Sequence, residues 1–85
     1  MNTETKGEYR VGINFNPSGD DMVGQIKRAA ADLIDLVETI PVPEVGSVAG
    51  ARHSNEVSRL KALAQTDIET AAMHAVKAAT KRAPE

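Results

Sequence analysis

Two aromatic rings, Tyr9 and Phe15, serve a chain of 85 residues that has no tryptophan and carries 13 alanines. Rings normally supply much of the area that a small domain buries. A chain this short with so light a core is marginal by itself, and association between copies is a standard remedy. A homo-oligomer is therefore the expected state. The remaining composition is that of one folded domain: 41% hydrophobic, 26% charged, formal net charge -2. No apolar run approaches the length of about 18 residues that a membrane span requires. The N-terminal residues lack the apolar stretch of a secretory signal. Without cysteine there is no disulfide framework and no cysteine-held zinc. These features predict a cytosolic protein with no membrane partner. The mildly acidic balance argues against a nucleic acid polymer as partner, because long phosphate chains select basic faces.

The pattern divides residues 1–85 into an arm, a helix, a linker and a second helix. In the arm, residues 1–17, Tyr9, Val11, Ile13 and Phe15 alternate with Arg10, Gly12, Asn14 and Asn16. A period of two predicts an extended segment lying on helices or pairing with another copy. Asn16-Pro-Ser-Gly-Asp-Asp21 reads as a turn, with Ser18 and Asp21 as a shortened capping box. The first helix is expected over 19–40, its seam formed by Val23, Ile26, Ala30, Leu33, Val37 and Ile40. Arg28 and Asp32 form an i,i+4 pair on its wet side. Residues 41–53, with Pro41, Pro43, Gly46 and Gly50, make the linker. The second helix is expected over 54–82, capped by Ser54 or Asn55. Its seam is Val57, Leu60, Ala64, Ile68, Ala71, Ala75 and Ala78, so its second half is nearly all alanine. The predicted fold class is mainly α, an extended arm plus two long antiparallel helices, packed into a homo-oligomeric assembly. Rods of about 33 and 43 Å exceed what a globule with a radius of gyration near 12 Å holds.

Little in this pattern points to catalysis. His53 and His74 lie far apart with no flanking ligand motif, and no glycine-rich phosphate loop is present. Asp32, Asp35 and Glu38 read as a solvated acidic face, so neither metal nor cofactor is expected. Lys27 and Arg28 lie near the arm, and Arg59 and Lys61 near the start of the second helix. They read either as solvated charges or, combined with Tyr9 or Phe15, as a nucleotide site. A nucleotide needs a flat apolar group for its base and a cation for its phosphate. A plain helical adaptor with no small ligand fits the seams and the alanines equally well.

Two segments carry a family likeness. One is Phe15-Asn-Pro-Ser-Gly19 with Ile26-Lys27 and Ala31-Asp-Leu-Ile-Asp35. The other is Arg59-Leu-Lys-Ala-Leu-Ala-Gln-Thr66 with Glu69, Ala72-Met73 and Ala75-Val-Lys-Ala-Ala-Thr80. The sequence resembles the phage anti-CBASS cyclic-nucleotide sponges, small helical proteins that bind and hide a bacterial immune messenger. One departure is His74, where the family pattern commonly has tryptophan after the methionine. The resemblance implies a homohexamer in the host bacterial cytoplasm that sequesters cyclic dinucleotides such as cyclic GMP-AMP without degrading them. In some members separate pockets take cyclic trinucleotides. It further implies Phe15, or else Tyr9, for base stacking and Lys27 for phosphate. Asn16 and Ser18 would bond base edges or phosphate, and Arg59, Thr66 and Glu69 match the family's polar positions. Thr66 and Glu69 are equally suited to bonds between helices, and Arg59 to an ion pair.

Overall fold

The computed structural model describes residues 3–84, so the first two residues of the expected arm and the last of the chain lie outside it. Within those bounds the chain forms three helices and no strand: α1 (Lys6–Val11), α2 (Asp21–Glu38) and α3 (Val48–Thr80). Two are long, 18 and 33 residues. α2 and α3 form an antiparallel hairpin. Ile40 faces Val57 and Leu60, the Ile34 carbonyl meets Gln65, and Lys27 faces Met73 and Val76.

The extended arm is overturned. A capping box opens α1: Thr5 Oγ1 accepts the Glu8 N–H at 3.1 Å, and Glu8 Oε1 accepts the Thr5 N–H at 2.9 Å. Gly12, in the left-handed region at φ 64°, closes it. The Ile13 N–H bonds the Glu8 carbonyl and the Gly12 N–H the Tyr9 carbonyl, the Schellman pattern. Two satisfied ends outweigh a period of two that spans only four apolar residues. Val11 and Ile13 turn toward the helices, and Tyr9 and Phe15 turn outward.

The other boundaries also shift. α2 is capped by Asp20, whose carboxylate accepts the Met22 N–H at 2.8 Å, instead of by Ser18. α3 is capped by Ser47, not Ser54 or Asn55, because Ser47 Oγ accepts the Gly50 N–H. The helix then absorbs Gly50, His53 and Ser54, and the connection shrinks to residues 39–47. Lys61 donates to the carbonyls of Glu38 and Ile40 and so closes the C-terminal end of α2.

Burial is sparse. Among the described residues, Val23, Ala31, Ile34 and Ala72 are the buried hydrophobic side chains, and Ile34 is the one large side chain with no exposure. α2 must face both α1 and α3, so its inner line passes through Val23, Ala31 and Ile34. Leu33 and Ile40 of the expected seam are left exposed. On α3 the inner line runs through Ser54, Gln65 and Ala72, leaving Leu60 outside. Gln65, 2% exposed, joins all three helices. Its amide N–H groups donate to the Ile34 carbonyl at 3.1 Å and to Glu38 at 3.0 Å, and its oxygen accepts from Lys6 at 3.0 Å. The result is a slab of 60 × 35 × 14 Å with a radius of gyration of 16.5 Å, well above the ~12 Å of a compact chain of this length.

Candidate nucleotide-binding site

α1 is held across the hairpin by polar contacts at both ends. Gly7 sits so close to α2 that its N–H reaches Asp35 Oδ1 at 2.7 Å. Lys6 pairs with Glu38 at 2.9 Å, and Arg28 joins Glu8 at 2.7 Å and Asp32 at 2.8 Å. At its C-terminal end, Arg10 donates through Nε and Nη2 to one carboxylate oxygen of Glu69, at 2.9 and 2.6 Å. Its Nη2 also reaches Thr66 Oγ1 at 3.4 Å.

These contacts set the local electrostatics. The Thr5 N–H, then Arg28, hold the Glu8 carboxyl below its ordinary value of 4.5. The Gln65 amide, then Lys6, do the same for Glu38. A lowered folded value means that the stabilisation is complete above about pH 4.5 and is lost as pH falls through the folded values. Acidification below pH 4.5 is therefore expected to loosen α1 before the hairpin melts. Amide exchange at residues 6–11 checks this: exchange that stays unchanged down to the hairpin's own acid transition would refute it.

The turn after α1 carries the ring. The Phe15 N–H closes on the Gly12 carbonyl at 2.9 Å. Lys27, from the second turn of α2, donates to the Gly12 carbonyl at 3.0 Å and also to the Phe15 carbonyl. Its ammonium lies 5.5 Å from the centre of the Phe15 ring, within cation–π range. The ring itself is 71% exposed, and Tyr9 73%. Beside the turn lies a groove of about 250 Å3 lined by Arg10, Val11, Lys27, Glu69, Met73 and Val76, among others. Its walls are apolar and its rim is charged.

The structure thus brings Phe15 and Lys27 together, and it brings Glu69 and Arg10 to the same groove as Lys27, with Thr66 joined to Arg10 beside it. Asn16 and Ser18 follow directly in the chain but are engaged in their own turn. Ser18 Oγ donates to Asn16 Oδ1 at 2.7 Å, and Asn16 Nδ2 donates to the Asp20 carbonyl at 3.0 Å. Arg59 stands apart. It pairs with Glu56 at 2.6 Å, each partner favouring the charged form of the other. With Arg52 and His53 it lines a separate open depression. Arg10 was missed from sequence. On an extended arm it pointed away from the apolar positions, whereas on a helix it reaches α3.

A family model described as Acb2/Tad1, hairpin domain, matches residues 8–80. The chain belongs to the Acb2/Tad1 hairpin-domain family, the anti-CBASS cyclic-nucleotide sponges. Among curated proteins and solved structures nothing matches. In this Acb2/Tad1 chain the family match runs from Glu8 in α1 to the last residue of α3. It therefore includes Phe15, Lys27, Thr66 and Glu69. Among the described residues no group of histidine and acidic side chains could hold a metal ion. Among the same residues no helix is long and apolar enough to cross a membrane.

Proposed function

We propose that this Acb2/Tad1 chain binds cyclic dinucleotides such as cyclic GMP-AMP and holds them without cleavage, lowering the free messenger that drives CBASS signalling in the bacterial cytoplasm. One observation carries the reading: an exposed ring, Phe15, stands over the ammonium of Lys27, and Lys27 in turn lines an apolar groove. Base and phosphate call for these two groups side by side. Phe15 stacks the base and Lys27 meets the phosphate. Asn16 and Ser18 supply hydrogen bonds from the turn, Glu69 acts from the α3 wall with Arg10, and Thr66 acts through Arg10. Arg59, in the separate depression it lines with Arg52 and His53, is a further candidate ligand group.

At about 250 Å3 the groove falls short of the roughly 300–1,000 Å3 of pockets that enclose a whole small ligand. One copy therefore supplies part of a site, and a second copy the rest. The exposed Leu33, Leu36, Ile40, Leu60 and Leu63 give copies apolar area to share. A ligand with two bases and two phosphates suits a two-fold interface that presents each side chain twice. A hexamer with dihedral symmetry adds three-fold axes for trinucleotides.

The test is recovery. Protein incubated with cyclic GMP-AMP, washed by ultrafiltration and heat-denatured is expected to release the ligand intact in the chromatogram. Cleaved nucleotide would mean an enzyme, and no retained nucleotide would leave a helical adaptor. Base stacking contributes about 1–3 kcal/mol, roughly 5- to 150-fold in affinity. Phe15→Ala is expected to weaken binding by a factor in that range and Tyr9→Ala by less. The reverse order, measured by calorimetry, moves the stacking role to Tyr9.

A further inference from the structure

Phe15 poses a mechanical question. Its ring is largely exposed, so little apolar packing fixes its direction, yet a stacking group that swings freely loses rotamer freedom on binding. The turn beneath it supplies the restraint. Gly12 adopts the left-handed conformation, and the Phe15 N–H closes on the Gly12 carbonyl. Lys27 then bonds the carbonyls of both residues and lies under the ring. An ammonium has three N–H groups. Two are spent on the turn, and one is left for a phosphate oxygen.

We infer that Lys27 is the positioning residue for Phe15: it fixes the turn and the ring in the unbound chain, so that the stacking group and the charge act as one unit. Positioning is a property of the free protein, while its consequence for affinity rests on the proposed function. The cation braces the inner face of the ring and leaves the outer face for a base. It also brings the two parts of the site to a fixed separation before any ligand arrives.

The chain contains one phenylalanine, so ring-labelled phenylalanine gives a single set of NMR signals. In the wild-type chain the ring is expected to relax as an ordered group and to show contacts to the Lys27 side chain. Lys27→Met keeps the apolar stem and removes the donors. It is expected to leave the helical circular dichroism intact while the ring becomes mobile. Lys27→Arg, which keeps a cation and its N–H donors, is expected to restore much of the order. A ring equally ordered in wild type and Lys27→Met overturns the inference, and so does a wild-type ring that is already mobile.

Binding of cyclic GMP-AMP provides a second arm. Phe15→Ala is expected to cost at least about fivefold in the wild-type background and less than half that factor in Lys27→Met. Equal costs in both backgrounds would show independent groups and sink the coupling. If wild-type protein binds no cyclic nucleotide, the proposed function falls, and the ring dynamics alone decide the role of Lys27.

Discussion

Gly7→Ala is expected to detach α1 from the hairpin while α2 and α3 stay folded. A Cβ at Gly7 would overlap the Ala31 carbonyl oxygen and come within 2.8 Å of both the Ala31 carbonyl carbon and Asp35 Oδ1. Two of these three atoms are backbone of α2, so the neighbour cannot simply rotate aside. Overpacking of this kind typically costs about 1–3 kcal/mol and occasionally more, and this site belongs near the top of that range. Six residues do not sustain a helix unaided, so an undocked α1 is a melted one. The loss propagates to the candidate site, because Arg10 leaves Glu69 and the turn carrying Phe15 loses the support of α1 on its N-terminal side. Amide exchange should rise sharply at residues 6–13, and affinity for cyclic GMP-AMP should fall with it. Gly24→Ala is the control. A Cβ there meets nothing within 4 Å, and glycine inside a helix costs about 0.5–1 kcal/mol relative to alanine, so that variant should be slightly more stable. Exchange rates in Gly7→Ala that match those of Gly24→Ala would refute the close approach.

Ile34→Ala is expected to remove the hairpin's main apolar contact. Truncating a fully buried isoleucine costs about 2–5 kcal/mol, out of a typical total of roughly 5–15 kcal/mol. Ile34 is the one large side chain of the described residues with no exposure, so few neighbours can collapse into the space. Chemical denaturation should show the midpoint falling steeply or the cooperative transition disappearing. Leu33→Ala, one position away and 47% exposed, should change the stability of the isolated hairpin little. A small effect at Ile34 together with a large one at Leu33 in dilute monomer would mean that the inner face of α2 has been misassigned.

The contrast between these residues shows what sequence patterning conveys here. Heptad-like spacing identified both long helices and the wet-side pair of Arg28 and Asp32. It could not say which line of α2 faces inward, because Leu33 and Ile34 are adjacent, equally apolar, and both within a broad stripe. The choice is made by α1, which docks Gly7 against Ala31 and Asp35 and so turns Ile34 to the centre. α1 itself was hidden by an accident of spacing. Tyr9, Val11, Ile13 and Phe15 mimic a strand, although Thr5, Glu8 and Gly12 already spell a helix with both ends capped. Of the candidate site, the nearness of Phe15 and Lys27 could be anticipated from the short turn between them. The meeting of Arg10 with Thr66 and Glu69 could not, since it spans 56 and 59 positions and depends on a helix that the alternation disguised.

Gln65 has a consequence for alignment. Alanine knobs are small and nearly interchangeable, so sliding α3 one turn along α2 would sacrifice little contact area. Such a slip would strand the Gln65 amide in the interior, at about 1–3 kcal/mol for each unmet polar group. A single polar residue in an otherwise apolar seam fixes register in coiled coils by the same penalty. The glutamine is thus a key that admits one alignment of the two rods, and that alignment is what keeps Thr66 and Glu69 level with Arg10.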